Sequence, residues 1–372
     1  MDVQDKVAVL TQLLGQHPAY ALVIVLLGFM GGTISGFIGS GGAFLMTPGM
    51  MNLGIPGIMA VGANITHKFG KAMVGQRKHA QLGHVDRRLG LILVATSLVG
   101  VRTAVVVQES LFERLGTNGS DLYVSAFFVA TLTVIGGLLL RDALRSVRRK
   151  AAGPSGRLLA LVQRARVRPL VYLTVANAHV SLPLLAIVGF LTGYMAGTIG
   201  VGGFIGVPAM IYLFGVPTVV ATGTELFLAM FMGAFGALNY GLEGYVDLRV
   251  VTLLFAGSLP GLFVGTVGTR LVRESYIRLV TAVLVLLCVV SRLLAIPDYL
   301  RAFGWEQVGP RAAALLTDAS AAMLFGSGAV ATTLVFYFVL RAYIRQLRVF
   351  RFYRPAIADR RFVKRLDETP VY

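Results

Sequence analysis

Charge is scarce in this chain. Only 14% of its 372 residues are Asp, Glu, Lys or Arg, against about 25% in an ordinary soluble domain. Acid is scarcer still: 17 Asp plus Glu stand against 34 Lys plus Arg, a net charge of +17. There is one cysteine, Cys288. A single thiol excludes an internal disulfide framework and a cysteine-based zinc site. The low charge density excludes a soluble nucleic-acid binder, which would be basic but far less apolar. A disordered basic protein is excluded by 22 Phe and 13 Tyr. The N-terminus lacks the basic start of a signal peptide, with Asp2 and Asp5 in its place. Residues 1–18 read instead as a short amphipathic segment.

What is present in excess is apolar sequence, 56% of the chain. A membrane helix needs about 20 mostly apolar residues. Seven segments qualify: 19–38, 89–108, 121–140, 182–199, 248–271, 276–295 and 313–340. Two more, 57–77 and 217–237, are long enough but less uniform. Two short apolar pieces, 43–53 and 204–214, fit half-helices or re-entrant segments. The expected fold is an all-α polytopic membrane protein with eight or nine crossings, multi-pass in the inner membrane.

The positive charge is concentrated. Residues 141–168 carry nine basic side chains and one acid, and the tail from Arg341 carries nine and three. Basic segments beside membrane helices face the cytoplasm. They also suit anionic lipid headgroups, particularly a tail with Tyr343, Phe350, Phe352 and Tyr353 among its arginines. Five crossings after residue 170 would nevertheless put the tail opposite the central segment, and the two placements conflict.

Shifted by 161 residues, the chain aligns with itself. Gly28–Gly42 (GFMGGTISGFIGSGG) lies over Gly189–Gly203 (GFLTGYMAGTIGVGG), and Gly83, Val85, Asp86 and Arg88 over Gly244, Val246, Asp247 and Arg249. About 22 of 73 ungapped positions match over residues 28–100, more than a glycine-rich composition alone would produce. The expected domains are an N-terminal segment 1–18, repeat one at 19–141, a basic linker 142–170, repeat two at 171–295, an additional helix at 296–340, and a basic tail 341–372. Four crossings per repeat would make the repeats parallel rather than inverted.

Each repeat runs an apolar helix into GxGG: Gly39, Ser40, Gly41 and Gly42, then Gly200, Val201, Gly202 and Gly203. A short segment follows, with Pro48 or Pro208 in it. A helix interrupted within a membrane frees backbone N–H groups, and the next helix presents a positive dipole end. Paired breaks at corresponding positions point to a transport site. The competing reading is glycines that only permit close helix packing.

One helix adds charge to this arrangement. Asn64, His67, Lys68 and Lys71 are spaced i, i+3, i+4, i+7 and share a face. Polar side chains inside a membrane usually face a bundle interior or a water-filled path. The corresponding face of repeat two offers Glu225, beside Thr224. Thr224 joins the expected substrate contacts. Glu225 is a counter-charge or proton carrier, and His67 is a second proton candidate. No Cys/His/carboxylate pattern suggests a metal or cofactor, and an intramembrane protease would need a GxSG on a membrane helix, a pattern that is absent.

With the paired GxGG elbows and the Gly-x-Val-Asp motifs (Gly83–Asp86, Gly244–Asp247), residues 20–295 resemble the TauE/SafE sulfite exporter family. The resemblance implies a permease for sulfite, sulfonates or related anions, with Gly39, Gly41, Gly42, Gly200, Gly202 and Gly203 near the substrate path. Three features depart from it: the basic linker, the helix and tail after about 312, and the Asn64–Lys71 stripe. The expected function is therefore a secondary transporter of a small anion, not an enzyme. The alternative is a non-transporting membrane scaffold whose basic tail recruits a partner.

Overall fold

The computed structural model describes residues 18–38, 42–148, 168–173, 178–272, 274–305 and 307–358. The amphipathic segment, most of the basic linker, the end of the tail, and Gly39, Ser40 and Gly41 lie outside the described residues. Ten helices are described: α1 (Pro18–Ile38), α2 (Ala43–Asn52), α3 (Gly57–Gln81), α4 (Arg87–Arg148), α5 (Leu182–Ile199), α6 (Gly203–Tyr212), α7 (Thr218–Leu242), α8 (Leu248–Leu271), α9 (Glu274–Arg301) and α10 (Pro310–Ala358). Seven stretches are long and apolar enough to span a bilayer. The stretch within α4, Arg87–Leu144, has 58 residues, roughly 87 Å if straight, far beyond one crossing. It breaks at Gly116, with φ 66° and ψ −161°.

Helix boundaries follow local chemistry. Gly83 and Gly244 adopt φ 72° and 74°, the left-handed geometry glycine tolerates best. Three residues on, Asp86 accepts the N–H of Arg88 at 3.1 Å, and Asp247 that of Arg249 at 2.7 Å. Each Gly-x-Val-Asp motif therefore stops one helix and N-caps the next.

Helix directions follow from residue pairs. α1 runs parallel to α8: a side chain at Gly28 would meet the Leu254 backbone, at Gly32 that of Ser258, and at Gly36 that of Leu262. The same packing recurs 161 residues later, where Gly189 abuts Leu93, Gly193 abuts Ser97, and Gly197 abuts Val101. α3 and α7 are antiparallel, with Gly75 on Leu226, Phe69 on Gly233, and Ile65 on Gly236. α2 runs back alongside α1, its Gly42 on Gly31 and its Gly49 on Leu27. α6 likewise doubles back on α5, with Gly202 beside Ala196 and Gly206 beside Thr192.

These directions resolve the conflict over the tail. α1 with α2, and α5 with α6, each return toward the end where they entered. Gly57 at the start of α3 bonds Asp121 just past the Gly116 break. Asp142, 21 residues on, accepts from Tyr212 at the far end of α6. The chain thus turns back at Gly116. α10 passes Asn52 at Ser320, Met30 at Gly328, and Gly268 at Val335. Arg148 and Arg341 consequently leave the bundle at the same end, and the tail is not opposite the linker.

Other boundaries shift from the sequence expectation. α9 runs six residues past 295, and α10 continues into the expected tail. One departure from all-α architecture occurs: Leu170–Leu173 (β1) pairs antiparallel with Ala178–Ser181 (β2), with Val171 opposite Val180. β-branched and aromatic residues favour a small strand pair there, and Tyr172 lies on His179.

Two predictions follow from these directions. On a Cys288→Ser background, cysteines at Leu144 and Tyr343 should react with an impermeant maleimide from one face of sealed vesicles. A cysteine at Asn118 should react only from the other face. Labelling of Leu144 and Tyr343 positions from opposite faces would contradict the directions. In the helix crossings, Gly32→Val and Gly193→Val should each cost about 1–3 kcal/mol or more through overpacking. Gly137→Ala, where a methyl meets nothing within 4 Å, should leave the melting temperature unchanged.

Candidate functional site

The stripe on α3 faces the two half-length helices. A small cavity of about 40 Å3 is lined by Asn64, His67, Lys68 and Lys71 of α3, Ala43 and Met46 of α2, and Val201 and Gly203 at the second elbow. That is room for about one to a few water-sized groups. α2 and α6 both begin at this cavity, after Gly42 and Gly202, and neither has a side-chain cap. A helix start without a side-chain cap leaves orphan N–H donors and a partial positive charge.

Each polar side chain of the stripe is held from another helix. Asn64 Nδ2 donates to Ala43 O at 3.0 Å and to Thr47 Oγ1 at 2.7 Å. Thr47 Oγ1 in turn donates to Ile199 O at 3.3 Å. His67 Nε2 and Ser258 Oγ are 2.6 Å apart, and the imidazole lies on Phe255 with ring centroids 4.6 Å apart. Lys71 Nζ donates to Ser35 Oγ at 2.9 Å. Lys68 Nζ is 3.9 Å from Glu225 Oε1, longer than a hydrogen bond.

The second elbow is built around freed carbonyls. Gly200 ends α5 at φ 77°, and its N–H donates to Ala196 O at 3.0 Å. Tyr240 OH donates to Gly197 O at 2.7 Å, and Gln108 Nε2 to Thr198 O at 2.6 Å. With Thr47 on Ile199, side chains from α7, α4 and α2 satisfy the broken helix end. A side chain at Gly200 would also meet Asn64 Nδ2 at 2.6 Å.

Most expected site residues therefore converge: Asn64, His67, Lys68, Lys71 and Gly203 line the cavity. Gly42 and Gly202 are the N-cap residues of α2 and α6 at its edge. Glu225 borders Gly203 and Gly206, where added Cβ atoms would lie 2.9 and 2.5 Å from its oxygens. Thr224 stands apart, its hydroxyl accepting the Asp86 N–H at 3.0 Å.

The family can now be placed. The sulfite exporter TauE/SafE family model matches residues 24–292. The chain belongs to this family. Similar proteins include the probable membrane transporter protein YdhB of Bacillus subtilis, 27% identical over 67% of this chain and 91% of its own length. YjnA and YunE of the same organism, also named probable membrane transporter proteins, are 26% and 22% identical. They cover 65% and 72% of this chain and 88% and 94% of their own lengths. No solved structure matches the chain. The TauE/SafE match stops at Arg292, so α10 lies outside it.

Arg292 is also a residue that motif reading passed over. It is fully buried, and its guanidinium donates to Asn52 Oδ1 at the end of α2 and to Ser320 Oγ of α10 at 3.0 Å. Asp121 lies within electrostatic range of it and accepts the Gly57 N–H at 2.5 Å. The available signal was an arginine within the apolar span 276–295, which holds one other, Arg278, near its start. Ser35, Thr47 and Ser258 carried no signal of their own. Because Arg292→Ala leaves the Asn52 carbonyl and the Ser320 hydroxyl without their charged donor, it should lower stability by about 1–3 kcal/mol. Denaturation in detergent checks this, and a loss below about 1 kcal/mol would show that the guanidinium is not holding α2 and α10.

Proposed function

We propose that the protein is a secondary transporter of a small anion, of the sulfite, sulfonate or related sulfur-oxyanion class. It works in the inner membrane by alternating access between two inverted repeats. The observation that carries this reading is the convergence of two uncapped half-helix starts on one cavity with Lys68, Lys71 and His67. Such a site offers backbone donors and lysine ammonium groups to an oxyanion, without any cofactor. The family and the transporter names of the relatives support the class of activity.

The repeat reading rests on glycine crossings that recur 161 residues apart. The antiparallel run of α3 against α7 makes the relation inverted, not parallel. α2 and α6 act as re-entrant segments, which is why four long helices per repeat do not set its parity. α3 and α7 meet at the centre, so a shift of one repeat against the other moves the cavity walls apart on alternate sides. Asn64 and the second elbow, including Gly200, Gly202 and Gly203, would contact substrate through backbone and amide groups, with Gly39, Ser40, Gly41 and Gly42 doing so at the first. Thr224 would act at one remove, by fixing the α3–α4 turn beside Glu225. The arginines of the linker and tail orient the chain and rest on anionic headgroups.

Purified protein should be stabilised by sulfite or methanesulfonate, by about 2.7 kcal/mol at a hundredfold excess over Kd, and not by chloride at equal ionic strength. Lys68→Ala should weaken binding about tenfold or more, a loss of about 1.4 kcal/mol. Equal stabilisation of Lys68→Ala and the parent would place the site elsewhere.

A further inference from the structure

Glu225, the acid that borders the cavity at Gly203, is placed oddly for a purely structural partner. Both carboxylate oxygens of Glu225 are buried and accept no hydrogen bond. Lys68 is near, at 3.9 Å, but not in hydrogen-bond contact. Glycines at 203 and 206 leave the floor on which the carboxylate lies. Neither α5 nor α6 contains a charged residue. From α3, Lys68, Lys71 and His67 face this region. From the α3–α4 turn comes Asp86, whose Oδ1 is taken by the N–H groups of Arg88 and Leu89. Lys71 is held by Ser35 and His67 by Ser258. Lys68 is thus the cation that both Glu225 and an entering anion would use.

We propose that Glu225 competes with the substrate for Lys68 and so obliges each monoanion to travel with one proton. This rests on the transporter reading above. In the empty site the carboxylate faces the Lys68 ammonium. When the anion arrives, it takes the ammonium. The carboxylate is then left buried beside a second negative charge, with no donor to receive it. It takes a proton from the open side and becomes a neutral acid. The occupied site differs from the empty one by one anion and one proton, so its net charge is unchanged. Both states can cross the occluded intermediate. A site holding the anion without the proton carries an uncompensated buried charge and does not. Release on the other side reverses the exchange: the anion leaves, Glu225 gives up its proton, and the carboxylate returns to Lys68. The result is electroneutral symport.

Methanesulfonate is the suitable probe, because it stays a monoanion near neutral pH and any proton carried must be the protein's. In proteoliposomes, internal pH and methanesulfonate uptake should change together, one proton per anion. One unit of imposed pH gradient should drive up to about tenfold accumulation. Glu225→Gln should keep anion-for-anion exchange and lose that accumulation. Purified protein supplies a second readout that needs no transport. In weak buffer, the parent should take up a proton on binding methanesulfonate, and Glu225→Gln should not. Should Glu225→Gln fold poorly, the Glu225→Gln, Lys68→Met pair removes both charges together and should bind no anion and take up no proton. Methanesulfonate uptake by the parent without proton movement overturns the inference while leaving the transporter reading intact. So does accumulation by Glu225→Gln equal to the parent's, or proton uptake that Glu225→Gln retains. Absence of any anion flux or binding in the parent overturns the transporter reading, and this inference with it.

Discussion

A helix that stops inside a membrane leaves carbonyls and amides with no water to receive them. The interrupted end of α5 is closed in a way that would meet that constraint. At the end of α5, successive carbonyls are taken by Tyr240, Gln108 and Thr47. Those three side chains come from three different helices. Asn64 then ties Thr47 to the start of α2. The broken helix end is therefore the knot that fixes α2, α4 and α7 around α5. With the carbonyls satisfied by protein, the amide ends of α2 and α6 are the polar groups left to face the cavity.

Symmetry and its breaking divide the labour. The glycine crossings at 28, 32 and 36 repeat at 189, 193 and 197. They make a scaffold in which backbones touch and side chains are excluded. On the corresponding faces of α3 and α7, however, the residues differ. Asn64 corresponds to Glu225, His67 to Leu228, Lys68 to Ala229 and Lys71 to Met232. A site built from two equal halves would place like charges against each other. Here one half brings cations and the other a single carboxylate 3.9 Å from the nearest of them. The anchoring at the outer end is likewise one-sided: Arg292 and Ser320 bind the end of α2 through a helix outside the family's matched region.

Much of this was legible in the residues. The Gly-x-Val-Asp motifs and the i, i+3, i+4, i+7 stripe each depend on local spacing, and the motifs sit at helix boundaries and the stripe along one cavity. The glycines marked the two half-length helices, but their return direction was not legible, because a short apolar segment looks the same whichever way it runs. That ambiguity alone produced the conflict over the tail. Thr224 illustrates a different limit. Its neighbour Glu225 borders the cavity, but one step along a helix is a rotation of about 100°, and that turns the threonine to Asp86. The serines that hold His67 and Lys71 come from positions 191 and 36 residues away, distances over which no local pattern carries information.

The central claim is that an anion sits where the two half-helix starts meet the α3 stripe. An experimental structure with 2-bromoethanesulfonate bound tests it most directly, since the bromine locates the ligand by anomalous scattering. The account predicts the sulfonate between Ala43 and Gly203, within hydrogen-bond reach of Lys68, with the Glu225 carboxylate moved off that lysine. A sulfonate bound elsewhere, with Lys68 still facing Glu225, would contradict it.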